Sequence, residues 1–426
     1  MPQTNGIGGK LLTSDLILKE AMWQFKNNLV ACKRVFRDLE SKVVNGVGNS
    51  VSVKKPYRVK STEGRTLGIQ PLVDNTVTIT INRQRNVGLK WTIQDLTLSI
   101  EDFSQRYIQP AVGEIATQVE LSVFNEAQNA YFMTGTVGTD LSYSTFALTR
   151  AQMNGVAIPD EGTGLRSALI NDIDAANIST SLMTVFAGQG SIAKDSIQKG
   201  YMGPLSGMEF YSSPIVPTHT VGNYGGTPLS NNVTAQTGSS IVTDGWTASV
   251  TGLLKQYDVI TFAGVYEINP ITRTSTGRLQ TFVVTADVNS DSGGNATVLV
   301  SPSINDGTLT TTDVEGTTVS LAAYQNVSAA VVNNAAITVM GTANGVYRQN
   351  FYMHKNAIAL CVPQLELPRS AVVAERITDA ESGLSLSLTE GYTVGDNTET
   401  TRLDAVWGVK LMNPELIFKQ YTAKLN

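Results

Sequence analysis

The chain has little of what catalytic and disulfide-bonded proteins are usually built on. Its 426 residues include two cysteines, Cys32 and Cys361, and two histidines, His219 and His354. A disulfide framework, a multi-cysteine zinc site and a mechanism resting on several histidines are thereby excluded. Charged residues make up 16% of the chain, against about 25% in an average soluble domain. No apolar run approaches the ~18 residues that a membrane-spanning helix needs. Met1 to Gly9 has no basic stretch leading into an apolar one, so a secretory leader is not expected. The net charge is −5, so the whole molecule lacks the basic footprint of a nucleic-acid binder. What is abundant is threonine, together with 37 glycines; these are residues of strands and turns. The length suits two to three domains of roughly 150 residues each.

Leu18, Met22, Phe25, Leu29, Cys32, Phe36 and Leu39 recur at steps of four and three. This predicts one N-terminal arm helix within 1–45, starting near Thr13 or Ser14 and ended by Asn45-Gly46, with Cys32 as a core thiol. From Ser50 to Ile93 the period changes to two. Val51, Val53, Tyr57 and Val59 precede a polar stretch; Val77, Ile79, Ile81, Val87, Leu89 and Trp91 follow it. The pattern predicts a long β-hairpin arm over 46–94 with a flexible tip. Those residues hold Lys54, Lys55, Arg58, Lys60, Arg65, Arg83, Arg85 and Lys90 against Glu63 and Asp74, a local balance of +6. A long helix is expected from Ser99 to Met133, kinked or restarted at Pro110. Residues 135–224 read as mixed α/β, with helices over 165–177 and 178–188 and strands at 208–212 and 215–216.

From 225 to 341 helical periodicity vanishes. Short apolar runs recur between turn residues at 240–243, 259–262, 265–268, 282–286, 296–300, 317–321 and 337–340, the spacing of a small inserted β-barrel. Its three basic residues stand against eight acidic ones, a balance of −5. From 342 the mixed pattern resumes, with strands expected at 357–362 and 402–412 and the alternating Leu384, Leu386 and Leu388.

Few residues invite chemistry. Asp291-Ser292-Gly293-Gly294 looks like a serine-protease nucleophile loop, but no histidine base with an orienting acid accompanies it. Asp287, Asn289 and Asp291 are spaced as the first ligands of a calcium loop. Ser292 and Val298, however, stand where that loop needs glycine and a bidentate glutamate. Both stretches read as a hairpin turn. His354 is expected to be structural or on the surface, His219 to lie in an exposed loop, and Cys361 to be buried and inert. No catalytic, cofactor or metal site is expected, and the chain is not expected to be an enzyme.

The charges are more informative. Residues 366–404 carry Glu366, Glu375, Asp379, Glu381, Glu390, Asp396, Glu399 and Asp404 against Arg369, Arg376 and Arg402, a balance of −5. A basic arm and an acidic stretch on one chain suit contact between identical copies. The candidate interface residues are Lys54, Lys55, Arg58, Lys60, Arg83 and Arg85 on the arm, with Glu375, Asp379 and Glu381 opposite. The competing readings are a charged ribbon that stays soluble and resists edge pairing, and weak contact with DNA.

The order of segments resembles the major capsid (coat) protein of tailed double-stranded DNA phages, in particular the short-tailed type with an inserted β-barrel. The local similarities are 253–265 (Leu-Leu-Lys-Gln-Tyr-Asp-Val-Ile-Thr-Phe-Ala-Gly-Val), 284–294, Gly48 to Pro56 and Gln118-Val119-Glu120. The resemblance implies an α+β tailed-phage capsid fold. Residues 46–94 would be an extended loop reaching over a neighbour, and 95–134 the long helix of a peripheral domain. Residues 135–224 and 342–426 would form axial and peripheral parts, with the barrel at 225–341 inserted between them. It also implies hexamers and pentamers in an icosahedral shell, a scaffolding protein and a portal as partners, and only weak non-specific contact with packaged DNA. No membrane would be involved; assembly would take place in the host cytoplasm and the product would be a virion capsid. The alternatives are a secreted threonine-rich adhesin or surface-layer protein and, more remotely, a hydrolase at Asp291-Ser292-Gly293.

Overall fold

The computed structural model describes residues 19, 21–23, 25, 29–37, 48–61, 63–65, 75–92, 109–160, 164–185, 204–312, 318–368, 371, 373–378 and 384–425. Its α+β architecture rests on three sheets and a long helix. The central sheet runs in the order Phe132–Met133, Ile417–Leu425, Val346–His354, Arg166–Ile170, Met208–Ser212 and Pro204–Leu205, with Thr218–Thr220 also on Val346–His354. A second sheet orders Ile358–Cys361, Thr398–Leu411, Ser385–Thr393 and Val373–Thr378. The third is antiparallel, in the order Ile337–Val339, Val259–Ile268, Ser275–Val284, Ala296–Ile304, Gly238–Trp246 and Gly226–Ser230. Its two outer strands meet at an isolated bridge, Leu229 to Ala336.

The long helix is Gln109–Ala127, with Pro110 in its first turn, where a missing N–H costs nothing because that donor has no helical partner anyway. It stops before Met133. Phe132–Met133 instead forms a parallel pair with the strand Ile417–Leu425. Val112, Ile115, Val119, Val123 and Phe124 are buried against Trp407, Leu403 and Leu388 of the second sheet and against Met22, Phe25, Leu29 and Cys32.

Of the N-terminal stripe, Met22, Phe25, Leu29 and Cys32 are buried and Phe36 is half-buried, but not on one helix. Ala21 to Trp23 and Phe25 are helical, Ala31–Arg34 is a short 3-10 turn, and Phe36 bridges Ala359 in parallel. Leu18 and Leu39 lie outside the described residues. The helices expected over 165–177 and 178–188 fall on one observed helix, and only the start of the first is overturned. Arg166–Ile170 is a strand with every residue buried, and the following helix is Asp172–Val185. A five-residue strand buried on both faces has no alternation to display. Residues 215–216 are not a strand; pairing falls on Thr218–Thr220.

Strand β1 (Ser50–Lys54) pairs antiparallel with β2 (Thr76–Thr80), with Val51 opposite Ile79 and Val53 opposite Val77. Strand β3 (Arg83–Thr92) is not part of that hairpin. It lies along Thr398–Leu411 in continuous register from Thr92–Thr398 to Arg83–Trp407. The arm predicted over 46–94 is therefore two things, a hairpin and an edge strand of the second sheet.

Candidate assembly site

The hairpin leaves little of its aliphatic face uncovered. Ile79 is fully buried among Ala359, Cys361 and Met412, with Phe36, Val53, Val77 and Ile81 packed around them. These are residues of the same chain, so this aliphatic face of the hairpin is closed by the chain's own strands. Gly408 permits the approach: a Cβ there would sit 2.6 Å from the Thr80 carbonyl oxygen.

The basic residues divide into separate groups. Lys54 and Lys60 are exposed and Lys55 is half-buried. Arg58 donates from Nη2 to Glu415 Oε1 at 3.1 Å. Arg83 stands apart on β3 and donates to Ser122 Oγ of the long helix at 3.0 Å. Trp407 Nε1 donates to the same hydroxyl at 3.1 Å. Arg83, Arg85, Gln118, Ser122, Asn125 and Trp407 line a polar cavity of about 380 Å³. So Arg83 and Arg85 do not share the arm's surface.

The acidic partners are likewise dispersed. Glu375 is half-buried on the strand Val373–Thr378, opposite Leu388; Asp379 and Glu381 lie outside the described residues. Asp404 is buried and accepts from Arg402 Nε at 2.7 Å and Nη2 at 2.8 Å, which holds the Arg402 guanidinium above its usual range. Asp396 pairs with Lys90 at 3.6 Å. Part of the −5 is thus matched within the chain.

His219 is buried on the strand Thr218–Thr220, not in an exposed loop. Its Nε2 is 2.7 Å from Asp258 Oδ1, while Asp258 Oδ2 accepts from the N–H groups of Gly222 and Lys255 at 3.1 and 2.8 Å. Beside them Lys419 Nζ donates to the Tyr257 and Gln128 carbonyls at 2.9 and 3.0 Å, and the Tyr421 hydroxyl to the Tyr257 carbonyl at 2.8 Å. The cluster fastens the 225–341 segment to the central sheet. Burial depresses Lys419 to about 7, against the attraction of Asp258. Burial also lowers His219, while the Asp258 hydrogen bond pulls it up.

Glu120, in the Gln118-Val119-Glu120 stretch, is buried on the long helix. Its Oε1 accepts the N–H groups of Val30 and Ala31 at the start of the 3-10 turn. Burial raises its carboxyl above the usual carboxylate range, and those N–H donors pull it back. Nothing in the sequence marks this contact, because its donors are backbone groups about ninety residues away. Asp291 Oδ1 accepts from the N–H groups of Gly293 and Asn295, both at 2.8 Å, and Asp287 and Asn289 accept from Gln256 and Gly252. The acidic loop is a turn whose carboxylates are engaged by backbone. His354 and Cys361 are buried.

The structure therefore offers a hairpin root, an edge strand and charged patches, with its buried polar clusters spent on joining segments. A family model described as "P22 coat protein - gene protein 5" matches residues 8–422. The chain belongs to the P22 coat protein family. A major capsid protein of Acyrthosiphon pisum secondary endosymbiont phage 1 is 22% identical, over 95% of this chain and 96% of its own length. Two solved phage structures are similar in outline. One, from Mycobacterium phage Che8, has 11% identity and a TM-score of 0.47, covering 92% of this chain and 90% of its own. The other is the capsid of Cyanophage P-SCSP1u, with 11% identity and a TM-score of 0.44 over 92% and 87%. Membership of a coat-protein family places the chain among structural proteins and leaves the adhesin reading without support.

Proposed function

We propose that this chain is a shell-forming major capsid subunit whose copies associate as hexamers and pentamers into an icosahedral shell around a phage genome. The observation that carries the reading is the family match across nearly the whole chain. Residues 225–341 act as an inserted β-barrel, a reading supported by a sheet whose outer strands bridge at Leu229 and Ala336. The hairpin is the extended loop, the long helix belongs to a peripheral domain, and the central sheet to axial and peripheral parts. Lys54, Lys55 and Lys60 meet an acidic surface of a neighbour that includes Glu375; Arg83 and Arg85 form a second patch beside the long helix. A scaffolding protein and a portal complete the assembly in the host cytoplasm, and DNA touches the shell weakly.

The test is sedimentation and negative-stain microscopy of the chain, alone and with a scaffolding protein. Closed particles are expected; a monomer under every condition overturns the proposal. Exposed ion pairs are worth ~0–1 kcal/mol each, so the variant should combine Lys54→Glu, Lys55→Glu and Lys60→Glu. It should keep the circular dichroism of the parent and lose assembly. Normal shells that fail only to retain DNA would reassign these lysines to DNA contact.

A further inference from the structure

Where the chain leaves β1, side chains from three distant places converge on two consecutive residues. Glu415 takes the Arg58 guanidinium. The Arg58 backbone N–H points at the Tyr324 hydroxyl, 3.5 Å away. Arg273 Nη2 donates to the Val59 carbonyl at 3.2 Å and lies 3.4 Å from the Ala323 carbonyl oxygen. Two of these three groups come from 225–341. On the other leg of the hairpin, Asn75 borders a cavity of about 380 Å³ shared with Asn305, Leu321, Tyr324 and Asn326 of the same segment.

The groups that reach the hairpin are themselves held. Asn269 Oδ1 accepts from the N–H groups of Ile271 and Thr272, and its Nδ2 donates to the Gly155 carbonyl at 2.8 Å. Arg273 donates its backbone N–H to the Asn269 carbonyl at 2.7 Å and has φ +56°, a conformation that a non-glycine residue adopts only when its surroundings impose it. Tyr324 closes the 3-10 turn Ala322–Tyr324. A loop built so tightly around one arginine, aimed at the backbone of another segment, is a fixed stop for that segment.

We infer that the 225–341 segment is a bracket that sets the direction in which the hairpin leaves the subunit, acting through Arg273 and Tyr324. The inference rests on the reading that the hairpin meets a second copy. It adds that the inserted segment sets the geometry of this contact by holding the hairpin's root. Backbone-directed contacts suit the task, because they fix the path of the chain whatever side chains it carries.

The experiment uses the full chain with Arg273→Ala and Tyr324→Phe combined. On unassembled subunits, trypsin cleavage between Lys55 and Arg65 should quicken about three- to tenfold. One hydrogen bond of ordinary length to the hairpin, from Arg273, and one weak contact at 3.5 Å, to Tyr324, are removed, and cleavage follows the population of the opened segment. Cleavage elsewhere and the thermal midpoint should stay near those of the parent. In assembly, the variant should give misshapen or open particles. Unchanged cleavage overturns the bracket. Faster cleavage with normal particles overturns its control of assembly. If the parent chain itself forms no particles, the shell reading fails, while the cleavage result still decides whether the bracket exists.

Discussion

The hairpin and the 225–341 segment are both made of strands that alternate apolar and polar residues, yet they are stable for different reasons. The segment encloses its own apolar interior: Ile241, Leu254, Ile260, Phe262, Phe282, Val284, Val298 and Val300 are buried against one another. The hairpin encloses nothing. Among its described residues the one fully buried side chain, Ile79, rests on Ala359, Cys361 and Met412 from elsewhere in the chain. Alternation fixes which face of a strand is apolar and is silent on what will cover it. A sheet of several strands can curl onto itself, whereas a two-stranded ribbon must borrow a surface.

The difference can be broken at either end. Phe282 is fully buried, edge-on to Phe262 with ring centroids 5.5 Å apart. Phe282→Ala should cost about 3–5 kcal/mol, measured as a lowered urea midpoint with the loss centred on the 225–341 segment. A variant that unfolds the hairpin first would show that the segment is not self-sufficient. Ile79→Ala should cost about 2–4 kcal/mol, and its signature is different. Cys361 lies under Ile79, so the variant should label faster with a thiol reagent while the 225–341 segment melts as before. An unreactive Cys361 would mean that the hairpin is not its cover.

The smallest effect probes the junction between the two kinds of structure. Lys419 sits at about 7 in the folded chain, against about 10.4 when exposed. Between those values the unfolded chain binds the extra proton, so this group's contribution to stability rises with pH from about 7 towards 10. Lys419→Met should flatten that rise in urea midpoints measured at pH 6, 7.5 and 9. An unchanged slope would show that Lys419 keeps an ordinary proton affinity.

Much of the strand content was legible. The runs at 240–243, 259–262 and 296–300 lie within observed strands, and 282–286 overruns one that ends at Val284, because threonine, β-branched residues and turns mark each one. The partner of β3 was not legible. Val87 and Leu89 alternate just as Val77 and Ile79 do, and only tertiary pairing separates a ribbon from an edge strand. Grouping Arg83 and Arg85 with Lys54 and Lys55 followed from that missed break. His219 was misread for a related reason: a three-residue strand of Thr-His-Thr carries no apolar signal, and its burial depends on Asp258, Tyr421 and Lys419 meeting it from other elements. The N-terminal stripe showed which residues are buried but not the break in the helix, since a 3-10 turn and a bridge can hold the same spacing on one side.

Thr220 and Val346, which flank the 225–341 segment, are directly paired in the central sheet. To the rest of the chain the whole segment is therefore the loop of a hairpin. Closing an unstructured loop costs entropy that grows with the logarithm of its length. A loop that has already folded with its ends side by side has removed that term, and a pairing distant in sequence becomes a local one. If the segment folds first, damage confined to its interior, as at Phe282, also slows the zipping of strands that contain none of its residues, and the central sheet takes its folding order from a segment it merely carries.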